Sequence, residues 1–159
     1  MMRPDHHQGL TLIEIMVVIA ILTILFAVGL LMSMDAFRGY SRRSERDTLV
    51  SVFQRARSSA IANVNQHQWG ACLDTSVPTS PDYVIFSGPS YGSAITKLAI
   101  PANSGVTITD TSSTKRFNCS LGGIVFNQLT GDTSDNTITV NQGAITSTIS
   151  TNVEGRIDW

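Results

Sequence analysis

The sequence predicts an α+β chain in which one long N-terminal helix packs on an antiparallel β-sheet domain. Three observations carry that expectation. From Leu10 to Met34, about twenty-five residues hold a single charge, Glu14, and no Pro. From Asp35 to Val64 there is again no Pro and only one Gly, Gly39, so the helix continues. From Gln68 onward, short β-prone runs alternate with Gly, Pro, Asn and Asp punctuation.

The first stretch is long enough to cross a membrane. At 1.5 Å per residue it reaches roughly 37 Å, against a hydrocarbon core of about 30 Å. A polar segment, Met1 to Gly9, precedes it. An ordinary secretory signal is cut after its apolar run, at a small residue. Here the small residue placed for cutting is Gly9, in front of the run, so cleavage there leaves the apolar helix on the mature chain. Glu14 needs a partner, because a carboxylate inside a span costs roughly 2.5–3.5 kcal/mol. Cutting after Gly9 creates a positive α-amine on Leu10, one helical turn from Glu14. Two such helices, side by side and slightly staggered, pair the amine of one with the carboxylate of the next.

The segment Gly9-Leu10-Thr11-Leu12-Ile13-Glu14-Ile15-Met16-Val17-Val18 resembles the leader and N-terminal helix of type IV pilins and type II secretion pseudopilins. The resemblance implies that prepilin peptidase cuts between Gly9 and Leu10, that Leu10 is N-methylated, and that Glu14 guides assembly into a filament. The alternative is a plain signal anchor with a stray Glu. Two positions depart from the family's habit: the leader has only Arg3, offset by Asp5, and Leu10 stands where Phe is common. Counting Arg38, Arg42, Arg43 and Arg46 after the span against Arg3 before it points the large domain to the cytoplasm. The resemblance implies the opposite orientation and is followed here, since the cut is made on the cytoplasmic side.

The helix's second half, to about Asn65, is amphipathic. Leu49, Val52, Phe53, Ala56, Ala60 and Val64 recur at three- and four-residue steps and are expected to face a sheet. Asp35/Arg38, Arg42/Glu45 and Arg43/Asp47 are spaced for local ion pairs worth a few tenths of a kcal/mol each. The arginine run reads as a solvated helix just above the membrane, in reach of lipid phosphates. Phe53-Gln54-Arg55-Ala56-Arg57-Ser58-Ser59-Ala60-Ile61 is similar to the helix end of the GspH/FimT group of minor pseudopilins and minor pilins. Arg57, Ala60 and Ile61 take the matching places, and Ser59 replaces the usual Glu.

Strands are expected at Gln68–Leu73, Tyr83–Ser87, Ile95–Ile100, Gly105–Thr109, Lys115–Cys119, Gly123–Asn127, Thr137–Val140, Ala144–Ile149 and Gly155–Trp159. Asn141-Gln142-Gly143 reads as a tight hairpin turn. The run Gly123 to Gly131 and the closing Gly155-Arg156-Ile157 also resemble the GspH/FimT group, so the matches span most of the chain in order. The expected organisation is a leader over 1–9, a transmembrane helix over 10–34, its amphipathic continuation over 35–65 and an extracytoplasmic β-rich domain over 66–159.

Composition narrows the function. The net charge of −1 hides a split: Asp35 to Arg57 carries +3 and residues 58–159 carry −3. No global basic field favours nucleic acid. After the Gly9 cut a single histidine is left, His67, expected to be a surface or capping residue. No His/Cys/Asp/Glu cluster has metal-ligand spacing, no nucleophilic triad can be assembled, and Gly122-Gly123 precedes no helix. An enzyme is therefore not expected, nor a cofactor or metal. Cys72 and Cys119 allow one pairing; in an oxidising compartment that bridge closes a loop of about 48 residues and contributes roughly 4 kcal/mol, the alternative being two buried thiols.

The leading expectation is a minor pilin or pseudopilin, a structural subunit at or near the tip of a type IV pilus or type II secretion pseudopilus. Its expected partners are prepilin peptidase, other major and minor pilins, and inner-membrane lipid before assembly. It is expected to cross the inner membrane once, with its C-terminal domain periplasmic or extracellular. A second reading is a DNA-binding minor pilin of a DNA-uptake pilus, with Lys115, Arg116 and Arg156 as candidate contacts; about three phosphate contacts give weak, salt-steep binding. A third is a membrane-anchored domain unrelated to filaments.

Overall fold

The computed structural model describes residues 11–112 and 116–159. Helix α1 spans Leu12–Ile61. Eight strands follow: β1 (Trp69–Asp74), β2 (Asp82–Ser87), β3 (Thr96–Pro101), β4 (Thr107–Asp110), β5 (Ile124–Phe126), β6 (Asn136–Gln142), β7 (Ile145–Thr151) and β8 (Ile157–Asp158). This is the α+β fold the sequence predicts. The expected leader, Met1 to Gly9, and Leu10 lie outside the described residues.

Thr11 starts the helix. Its Oγ1 accepts from the Glu14 N–H at 3.3 Å and its carbonyl from the Ile15 N–H at 3.3 Å, so the first orphan donors are capped. At the other end Asn63, Asn65 and Gln66 adopt positive φ, which turns the chain into a short 3-10 segment over Val64–Gln66. Helix propagation stops there, four residues short of the expected Asn65.

The chain forms two compact units, residues 1–38 and 39–159. In the first, Leu12–Leu30 has a mean hydropathy of 2.8, is long and apolar enough to cross a membrane, and has none of its residues buried. The second has an ordinary core. Leu49, Val52, Phe53, Ala56 and Ala60 of α1 are at most 1% exposed and pack on residues of two four-stranded sheets. Val64, expected on the same stripe, is 40% exposed because the helix ends before it.

One sheet has the order β3-β2-β1-β5 and the other β4-β6-β7-β8, antiparallel throughout. The two are built for different surroundings. In β2, Tyr83 through Ser87 are all buried, because one face meets α1 and the other meets a second apolar cluster of Cys72, Val84, Phe86 and Cys119. In β6, Ile138 and Val140 are buried while Thr137 and Thr139 are half-buried on the other side, the alternation of a one-faced sheet.

Three local expectations are corrected. Of the expected strand Lys115–Cys119, Lys115 lies outside the described residues and the rest is not a strand: Arg116 and Phe117 lie in a turn, and Cys119–Leu121 is a 3-10 turn. The Asp110 carboxylate accepts the Phe117 N–H at 2.8 Å, taking a donor that a ladder would need. The hairpin turn falls on Gly143-Ala144, with Asn141 and Gln142 already in β6 and Gly143 at φ +61°. The local ion pairs are also redistributed. Glu45 is buried and bonded to other elements, Arg42 donates to β7, and Asp47 pairs with Arg46 at 2.6 Å rather than with Arg43. The side chains of Asp35 and Arg38 lie outside the described ones.

Candidate functional site

Of the predicted processing residues, Gly9 and Leu10 lie outside the described residues. Glu14 sits in the first turn of α1 with its side chain exposed, between exposed Ile13 and Ile15. Among the described residues no donor reaches its carboxylate.

Cys72 and Cys119 are bonded, with Sγ–Sγ 2.09 Å. The bridge joins β1 to the 3-10 turn at Cys119 and pins it over the outer face of the first sheet, where Val84 and Phe86 are buried. Beside it the Leu73 N–H donates to the Phe117 carbonyl at 2.7 Å. Nearby, the Tyr91 hydroxyl donates to Asp74 at 3.1 Å and the Lys97 ammonium sits 3.7 Å from the centre of the Tyr91 ring. The Ser76 backbone N–H, followed by the Ser76 and Tyr91 side chains and the Lys97 charge, holds Asp74 below the usual carboxylate range.

The three later sequence motifs converge at the C-terminal end of α1. Gly131 and Gly155 both have φ +73°. A Cβ on Gly131 would lie 2.7 Å from the Ile61 side chain, and one on Gly155 only 1.9 Å from the Gly131 carbonyl. Lacking both carbons, the two loops close against Arg57 and Ile61. Arg57 donates through Nη2 to the Glu154 carbonyl at 3.2 Å, and the Leu129 N–H caps the Ala60 carbonyl at 3.0 Å. A cleft of about 300 Å³ remains between α1 and β8, lined by Gln54, Arg57, Ser58, Ile61, Arg156 and Ile157. The Arg57 Nε is buried without a hydrogen-bond partner. Arg156 is largely exposed; its Nε donates to both oxygens of Asp158 at 2.9 and 3.0 Å, and those hydrogen bonds push its pKa further up.

The candidate DNA contacts are not gathered by the fold. Lys115 lies outside the described residues. Arg116 is exposed and lines a different cleft, of about 490 Å³, beside Ser90, Leu121 and Asn127. His67 is half-buried and ends the 3-10 segment. Among the described residues no three His, Cys, Asp or Glu side chains are grouped to hold a metal ion.

Two functional-looking side chains went unforeseen. Glu45 accepts the Tyr83 hydroxyl at 2.6 Å and the Asn103 N–H at 3.0 Å, and Arg42 donates to the Thr146 carbonyl at 3.2 Å and to the Ser147 hydroxyl. The signal for Glu45 was available: it lies four residues before Leu49, on the apolar stripe itself. Nothing local marked Arg42.

Residues 5–30 match the family model described as the prokaryotic N-terminal methylation motif. No curated protein matches the chain. Among solved structures, the type IV minor pilin FimU of Pseudomonas aeruginosa (strain PAO1) is similar in two crystal forms, at 15% identity and a TM-score of 0.50. Each match covers 73% of this chain, and 85% or 90% of the FimU chain. At that identity the likeness is one of fold.

Proposed function

We propose that this chain, which carries a pilin-type N-terminal methylation motif on the fold of a minor pilin, is a minor pilin or pseudopilin subunit. It is inserted as a precursor with Leu12–Leu30 in the membrane, cut between Gly9 and Leu10 by prepilin peptidase and methylated on Leu10. Other pilins then draw it into a type IV pilus or type II secretion pseudopilus, at or near the tip. The observation that carries this reading is the exposed Glu14, inside the matched residues 5–30 and in the first turn of α1, with no donor to its carboxylate among the described residues and on a span with no residue buried. The new α-amine of Leu10 on an adjacent subunit is a partner of the right charge at the right height. In this reading the chain is a substrate of the processing enzyme and a structural element afterwards. The DNA-binding reading has less support, because Arg156 and Arg116 line different clefts and residues 58–159 carry a net negative charge.

Mass spectrometry of the protein from its native membrane tests the scheme. A mature start at methyl-Leu10 is expected, Gly9→Val is expected to leave uncut precursor, and an intact Met1 in the wild type sinks the proposal.

A further inference from the structure

We propose that the cleft between the end of α1 and β8 receives a carboxylate side chain from a neighbouring subunit, gripped by Arg57 and Arg156. This rests on the reading of the chain as a filament subunit and names one contact by which that subunit is held. Two guanidinium groups line a cleft of about 300 Å³, and neither has all its donors taken among the described residues. Arg57 spends one N–H on the Glu154 carbonyl; its Nε is buried against Gly155, out of reach of the cleft, so its terminal nitrogens are what it offers there. Arg156 binds Asp158 through Nε alone, so both of its terminal nitrogens remain open. Planar forks of this kind bind carboxylates through paired hydrogen bonds.

The walls favour a side chain over a nucleic acid. Ile61 and Ile157 give the cleft an apolar side that suits the stem of a Glu or Asp. Glu154 and Asp158 flank the two arginines, so the local formal charge is balanced and residues 58–159 are negative as a whole. One carboxylate can be accepted there through directed hydrogen bonds. A strand of phosphates needs a basic field instead, and binds in proportion to the number of cations it meets. Gly131 and Gly155, lacking side chains, let their loops pack on Ile61 and Arg57, two of the residues that line the cleft.

The test uses the full chain in cells that assemble the filament, with the amount recovered in sheared filaments as readout. Arg156 is largely exposed, so its replacement leaves the core intact. Arg156→Glu is expected to lower incorporation by about tenfold or more, the size of effect seen when a paired charge is lost at an interface. Arg156→Lys, which keeps the charge and loses the fork, falls between. Wild-type incorporation of Arg156→Glu overturns the proposal. So does salt-steep binding of a duplex oligonucleotide to the detergent-solubilised chain that Arg156→Glu abolishes, since the cleft would then serve phosphate. Glu14→Val separates the two levels of inference. If it blocks incorporation while Arg156→Glu does not, only the cleft assignment falls; if neither blocks it, the filament reading falls as well.

Discussion

The two halves of α1 each carry a glutamate, and the two are solved differently. Glu45 is buried among apolar neighbours and its carboxylate takes two donors, the Tyr83 hydroxyl and the Asn103 N–H, from elsewhere in the same chain. Glu14 has an apolar helix around it and no donor among the described residues. One glycine from each unit can be set beside them, although Gly39, Gly92 and Gly143 are as open as Gly29. A Cβ on Gly29 would meet nothing within 4 Å, whereas one on Gly155 would meet the Gly131 carbonyl at 1.9 Å. The difference teaches that the buried acid of residues 39–159 finds its donors within that unit. Glu14 finds no donor among the described residues, and under the proposed function its counterpart is the chain end of another subunit.

The largest break in that contrast is expected from Gly155→Ala. The added carbon meets a backbone oxygen, which cannot rotate away, and the left-handed φ is itself unfavourable for Ala. A loss above about 4 kcal/mol, or failure to fold, is expected in denaturant melts of the detergent-solubilised chain. An unchanged midpoint would mean that the two loops do not close on Arg57 as described.

Next comes the bridge. Replacing Cys72 and Cys119 by Ser removes a link across 47 residues and is expected to cost about 4 kcal/mol on the chain-entropy account. Reductant should shift the wild type by a similar amount and leave the double variant unmoved. A wild type indifferent to reductant argues that the second apolar cluster holds the 3-10 turn unaided.

Glu45→Ala is expected to cost about 3 kcal/mol, because it strands the Tyr83 hydroxyl and the Asn103 N–H without an acceptor. Tyr83 supplies a companion measurement in pH. Burial first, then the hydrogen bond and charge of Glu45, raise its pKa well above the usual tyrosine value of about 10. A raised pKa means that the stabilisation is fully present below about pH 10 and is lost as pH climbs above it, by at most about 1.4 kcal/mol per pH unit for one proton. Tyr83→Phe should remove that alkaline slope while melting lower near neutrality. A slope that persists in Tyr83→Phe belongs to another group.

These contacts also mark where sequence reading stops. The stripe from Leu49 to Ala60 was legible because a helix repeats its buried face every three or four residues, with no knowledge of what covers it. Motif spacing singled out Gly9, Leu10 and Glu14 as candidates, whose roles belong to the proposed function. Arg42 and Glu45 were misassigned because the pairing rule sees only i+3 and i+4, while their partners stand 104 and 38 residues away. Phe117 was drawn into a strand by its β propensity, yet the Asp110 carboxylate seven residues earlier had claimed its N–H. The cleft at Arg57 needed Gly131 and Gly155 brought together from separate loops, which their local sequence gave no sign of.

The smallest expected effect is the sharpest test of the contrast. Gly29→Ala adds a methyl group where the chain offers no neighbour, and a helix interior gains up to about 1 kcal/mol from the exchange. The melting of residues 39–159 should therefore not move, and processing after Gly9 should proceed as before. Small residues on membrane helices let other helices approach closely, so any loss of incorporation into filaments would report a helix–helix contact at Gly29 between subunits. A shifted melt, by contrast, would show that the span is read by its own β domain and would remove the distinction between the two glutamates.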